Sequence, residues 1–317
     1  MVAAYTRGLI SLALALALVA CKTEGETAKV TETEHGPPIS EPAVTLEQAP
    51  EPFPDFEIQE EEVVFHHRAL GRGERRKLVD KTVMNLNLRI HVDGREITMA
   101  IVERKEKEII IEVVQVEGGA VREAEVHYNH AFTVKSQAAR EKRQEAPVHG
   151  KTYRLTHQDG AAEPEIVGGG GQAVQAVEKA WLRSDFRQGG VLRLDGEGLE
   201  RHIFLPGEEV PLSTTTALAL VGSEHEVQVS EVRCQYLGRV RHAGRSMALL
   251  DVRFVAVGQE DELSITLRPE LRVVVEPESL EVVAKEMRGQ VEMKGGKDGT
   301  RFVGEGSLLG HFRSQPL

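Results

Sequence analysis

A few residue groupings in this chain have types and spacings that chemistry could use. Gly168-Gly169-Gly170-Gly171-Gln172-Ala173 fits G-x-G-x-x-A and opens onto a helical pattern, so bare amides there could cradle a phosphate. A dinucleotide site needs a parallel strand–helix–strand unit, and the neighbouring pattern is antiparallel, so the run reads as a glycine hinge. His66-His67 and His127-Tyr128-Asn129-His130 suggest metal ligation. On a strand, however, neither odd spacing places both rings on one face, and no Cys/His cluster adds ligands. Gly244-Arg245-Ser246-Met247-Ala248 fits all but the last position of the nucleophile elbow G-x-S-x-G. That elbow requires strand–turn–helix, whereas Met247 opens an alternating strand, so Ser246 reads as a turn serine. Paired carboxylates are too frequent to select a site. The sequence therefore predicts no catalytic residue, no metal and no cofactor.

The residue with the clearest chemistry is Cys21, which ends the apolar run Leu9 to Ala20 behind the single cation Arg7. Such a run suits a secretory signal and is shorter than the roughly 20 residues a membrane span needs. Leu18-Val19-Ala20-Cys21 resembles the lipobox of bacterial lipoproteins. The resemblance implies that residues 1–20 are removed as a signal peptide and that Cys21 is acylated on its thiol and its freed amine. Two or more acyl chains hold stably to a membrane, each buried methylene contributing about 0.8 kcal/mol. Lys22, rather than Asp, follows the cysteine, and in that family this implies the outer membrane, facing the periplasm.

Charge is placed unevenly. The chain carries −11, and residues 22–62 hold 12 acidic against two basic groups, or −10. Residues 63–317 are then close to neutral, with no basic footprint for nucleic acid. The sequence predicts three parts: the signal at 1–20, an acylated cysteine and acidic disordered tether at 21–62, and a β-rich globular domain at 63–317. A sub-boundary is placed at 135–150. If Cys21 is acylated, Cys234 has no mature partner for a disulfide.

The elements that position everything else are strands. Leu86, Leu88, Ile90 and Val92 alternate with polar residues, and Asp93-Gly94 predicts a tight hairpin returning over Glu96 to Val102. Lys105 to Lys107 reads as a charged turn before a strand from Ile109 to Val116. Val121 to Val134 places Ala124, Val126, Tyr128, His130, Phe132 and Val134 on one face. Val63 to Leu70 reads as a first strand, and 135–150 as a short solvated helix or a loop. One amphipathic helix is expected over Gln172 to Arg183, with Val174, Val177 and Trp181 on its apolar stripe. The predicted fold is mainly β (α+β): an antiparallel curved sheet or sandwich with one central amphipathic helix.

This order of features is similar to the β-rich bacterial envelope lipoproteins, and more distantly to periplasmic lipoprotein carriers. The latter resemblance implies a curved sheet wrapped around helices. The expected function is that of a non-catalytic, lipid-anchored envelope protein that binds a partner protein or an apolar molecule. The second reading is a lipid or lipoprotein carrier with its ligand between sheet and helix, faced by Trp181, Val174 and Val177. A hydrolase comes third.

Overall fold

The structure is a computed structural model. It describes residues 53–317 except 67, 69, 93, 118–119, 138–139, 158–163, 186–191, 195–198, 200–201, 222–226, 261 and 298–299. Cys21, the lipobox and the tether up to residue 52 lie outside the described residues.

Eight long strands carry the fold. β2 (Arg75–Val92), β3 (Arg95–Glu117) and β4 (Ala120–Gln137) form one meander; β9 (Val227–His242), β10 (Arg245–Glu260), β11 (Leu263–Val275), β12 (Val282–Lys297) and β13 (Thr300–Pro316) form the other. The two join where the first long strand meets the last, from His91 opposite Arg301 to Arg76 opposite Pro316. Three short strands, β5 (Arg140–Glu145), β6 (Thr152–Thr156) and β7 (Glu165–Gly168), extend the β4 side. The result is one open, fully antiparallel sheet in the order β7-β6-β4-β3-β2-β13-β12-β11-β10-β9, with β5 also paired to β4. A separate two-stranded ribbon joins β1 (Val63–Val64) to β8 (Ile203–Phe204). The expected mainly β antiparallel fold is thus observed as a single large sheet.

Alternation puts one face of this sheet inside. Along β2, Leu78, Thr82, Met84, Leu86, Leu88 and Ile90 are buried, two residues apart except where half-buried Asp80 stands between Leu78 and Thr82. We call this the inner face. Two helices contribute to its core rather than one: α1 (Ala176–Asp185), through Leu182, and α2 (Thr214–Val221), through Ala217 and Leu220. The outer face of β9–β12 has its own small core, in which Val240, Met247, Leu249 and Val274 pack with Phe53 and Phe56. Glycine recurs on the inner face where strands crowd. A Cβ on Gly304 would lie 2.6 Å from Leu88 Cδ2, and one on Gly310 would lie 2.8 Å from Met287 Cε. The glycines let long neighbouring side chains fall across the strand.

Several local expectations are corrected. Lys105 to Lys107 is not a turn; β3 runs unbroken through it, its charges meeting Glu103 on β3, Asp80 and Lys81 on β2 and Asp185 on a helix. The stretch 135–150 completes β4 and forms β5 rather than a helix or loop. The single face expected along Val121 to Val134 is broken by a bulge. Tyr128 pairs with Ile109 and His130 with Glu108, so Asn129 is the extra residue and His130 turns outward. The strand expected over Val63 to Leu70 is limited to Val63–Val64. Residues 214–221 form a second helix where none was expected. Ser213 decides this, its Oγ accepting from Thr216 N at 3.1 Å as an N-cap.

Candidate functional site

The inner face has an apolar half toward the β2–β3 hairpin and a polar half that is a belt beside it, with buried Leu78, Ile109 and Ile111 beyond that belt. In the apolar half, register places Leu86 opposite Ile101 and Gly306, Leu88 opposite Met99 and Gly304, and Ile90 opposite Ile97 and Phe302. Coverage declines along these rows toward the hairpin ends. Leu86 is 1 % exposed, Met99 and Phe302 are half-buried, and Ile97 is 41 % exposed. Val227 and Val229 of β9 are half-buried against the same core. The apolar wall therefore thins into an open rim.

The polar half begins at Glu103, Lys105 and Lys107, whose spacing of two sets all three side chains inward. Lys107 Nζ lies 2.5 Å from Asp185 Oδ1, on the last turn of α1, and 3.5 Å from Asp80 Oδ2 on β2. Tyr128 OH donates to the other oxygen of Asp185 at 2.8 Å. Burial alone would lower the Lys107 ammonium, but the carboxylates of Asp185 and Asp80 hold it above the ordinary lysine range. Glu103, only 2 % exposed, accepts from Lys105 at 3.2 Å and from Lys135 of β4 at 3.1 Å. Lys105 is pushed down by burial, opposed by Glu103. Lys285 of β12 donates to the Leu220 carbonyl near the end of α2, and burial lowers it too. Both helices are thus fastened to the inner face by lysines of the sheet.

Among the ligand-facing residues expected from sequence, Val174 and Trp181 are half-buried against the core. Val177 is not on that stripe; it is 48 % exposed, and Glu178 takes the inward position at 5 %. Glu178 accepts from Lys151 Nζ and, at 2.8 Å, from Gln175 N. Burial alone would raise the Glu178 carboxyl, yet these donors hold it below the usual carboxylate range. Burial and Glu178 together push the neighbouring Tyr153 hydroxyl up. Sequence reasoning missed Glu178 and the inward lysines. The even spacing of Glu103, Lys105 and Lys107 was the available signal.

The other groupings acquire structural roles. Gly169–Gly171 forms a 3-10 turn between β7 and α1, with Gly170 at φ 70° and Gly171 at φ 79°. Ser246 sits in β10 opposite Arg241, just after the Ala243-Gly244 turn, so the surroundings are strand–turn–strand. His127 Nδ1 meets Thr152 Oγ1 at 2.8 Å, while His130 faces Glu106. Among the described residues no group of three or more His, Cys, Asp or Glu side chains could hold a metal ion. Cys234 is buried, and burial, then Asp251, pushes its thiol up to about 12.

No family model matches the chain, and no curated protein does. Several solved structures are similar to it, and three illustrate the likeness. One is lipovitellin, in a structure of its lipid–protein interactions, at 10% identity and a TM-score of 0.36 over 77% of this chain and 26% of that one. The chain thus spans about a quarter of that protein. The second is a DUF1329 family protein from Desulfovibrio piger, at 10% identity and a TM-score of 0.14 over 72% and 84% of the two chains. The third is the translocator domain of the autotransporter NalP from Neisseria meningitidis, at 7% identity and a TM-score of 0.20 over 77% and 89%.

Proposed function

We propose that this chain is a non-catalytic, lipid-anchored protein of the cell envelope that binds an apolar, lipid-like molecule along the inner face of its sheet. The observation that carries the reading is the apolar wall itself. Its rows descend from fully covered Leu86 to half-covered Met99 and Phe302 and then to exposed Ile97. Exposed apolar surface contiguous with a core marks a place where an apolar partner removes it from water. Each Å² so removed contributes roughly 25 cal/mol. The lysine-fastened helices occupy the polar half of the face and leave the rim uncrossed by either fastening.

The anchor rests on the lipobox at Cys21, and the location on the outer membrane rests on Lys22. Binding is tested on the full chain with a fluorescent apolar probe such as N-phenylnaphthylamine. Saturable binding is expected, weakened by Ile97→Asp and Phe302→Asp at the rim and unchanged by Val177→Asp on the far side of α1. Absence of saturable binding, or equal loss in all three variants, would refute the reading. For the anchor, Cys21→Ala should release the protein from membranes; retention resistant to high salt would refute it.

A further inference from the structure

The apolar wall does not end neutrally on its β4 side. One row of the inner face runs Leu308, Met84, Glu103, Lys135, Lys142 across β13, β2, β3, β4 and β5. Leu308 and Met84 are buried, Lys135 is about a third exposed at 32 %, and Lys142 is exposed. Lys135 and Lys142 stand directly opposite each other on paired strands. Like charges in that relation repel, so the pairing costs stability unless an anion lies between them. Lys142 makes no ion pair among the described residues, and Glu103 already serves both Lys105 and Lys135. Lys105 lies one row away on the same face, opposite Thr82 and Thr133. The wall therefore passes from methyl and thioether groups to three lysines, two of them paired with Glu103, within two neighbouring rows.

We infer that the ligand is an anionic amphiphile, its acyl chain lying on Met99, Phe302 and Ile97 at the rim and its carboxylate or phosphate head held between Lys135 and Lys142. The inference rests on the proposed apolar binding and adds the class of molecule. Strand geometry fits the division. Met99 lies four residues along β3 from Glu103, roughly 13 Å at the usual rise, about the length of a ten-carbon chain. An ammonium meeting an anionic oxygen forms a charge-assisted hydrogen bond, about twice as strong as a neutral one. The two lysines thus give the site a sign as well as a greasy floor.

The test uses membranes carrying the full-length chain and three 16-carbon diazirine probes differing only at the head: carboxylate, phosphate or alcohol. Labelling is normalised to that of bulk lipid. In the native chain, one or both anionic probes are expected to label the Met99 and Phe302 peptides about tenfold more than the alcohol, equivalent to about 1.4 kcal/mol. Preference between carboxylate and phosphate then separates a free fatty acid from a phospholipid source. Lys135→Gln/Lys142→Gln should erase the preference while leaving alcohol labelling unchanged. Equal labelling by all three probes in the native chain overturns the inference and leaves apolar binding standing, and so does a preference that survives the double substitution. Labelling by none of the three overturns the apolar-binding reading, and the inference falls with it.

Discussion

Lys107→Met removes the one cation between Asp80 and Asp185 while keeping a similar length of apolar chain. Their side chains are only 11% and 7% exposed, so the substitution strands two carboxylates beside each other with little water. Breaking a buried pair by deleting one partner costs about 3–5 kcal/mol. Lys107 itself is 19% exposed, which points to the lower end, about 3 kcal/mol. For a sheet of this size that corresponds to a fall in Tm of roughly 6–12 °C. The loss should also depend on pH in a defined direction. Lys107 has a folded pKa raised above its unfolded value, so its contribution is fully present below the unfolded lysine value and is lost as pH rises through the folded one. The gap between native chain and variant should therefore hold at pH 7 and narrow only in strong alkali. Adding Asp185→Asn removes one stranded charge and should recover part of the loss. Thermal unfolding by circular dichroism measures all three quantities, and hydrogen exchange over residues 176–185 shows whether α1 is the part released. A Tm within about 2 °C of native, well under the span expected here, would refute the fastening. So would a double variant no more stable than Lys107→Met alone.

Other consequences follow from single contacts. Gly306→Ala would put a Cβ 1.9 Å from the Asn85 carbonyl oxygen of the paired strand; the forced shift should cost about 3 kcal/mol in chemical denaturation. Glu178 has a folded pKa below its ordinary value, so its contribution is present above about pH 4.5 and lost as pH falls through the lower folded value. Hydrogen exchange over 176–185 should therefore accelerate below pH 4 more in the native chain than in Glu178→Gln. Val177→Asp, on the exposed side of the same helix, should change stability by no more than about 0.5 kcal/mol.

How much of this was legible in the sequence depends on how far away each residue's deciding partner lies. Leu86, Leu88, Ile90 and Val92 alternate plainly, and the Asp93-Gly94 signal placed the β2–β3 hairpin correctly, with Gly94 at φ 74°. Lys105 to Lys107 misled because three successive charged residues resemble solvent-facing chain. Lys107 is buried instead with Asp185, 78 residues away, and no local pattern reveals such a partner. The helix stripe was half right for the same reason. Val174 and Trp181 belong to it under either choice, but Val177 and Glu178 differ by one step. Lys151, 27 residues upstream, makes the acidic residue the inward one. At α2 no helix was expected, and the cap that starts it is a single contact, Ser213 Oγ accepting from Thr216 N.

The route by which the chain enters the sheet bears on how the proposed anchor and the proposed ligand would coexist. Phe53 and Phe56 pack on the outer face against Val240, Met247 and Leu249, and the rings themselves meet edge to face at 5.3 Å. A few residues later Gln59 pairs with Arg239 on the free edge of β9, donating at 2.8 Å and accepting at 2.9 Å. Gly238 permits this approach: at φ 141°, a Cβ there would lie 2.6 Å from the Gln59 carbonyl oxygen. Glu208 and Val210 pair with the same edge at Tyr236 and Cys234. An uncovered edge strand invites pairing with other chains, and two segments of this chain occupy it instead. The consequence is a division between faces. The last part of the stretch expected as tether, residues 53–62, is spent on the outer face and the β9 edge, whereas the apolar rows and Lys135 and Lys142 lie on the inner face toward β4 and β5. A tether held on one face leaves the other able to take a lipid from the same membrane.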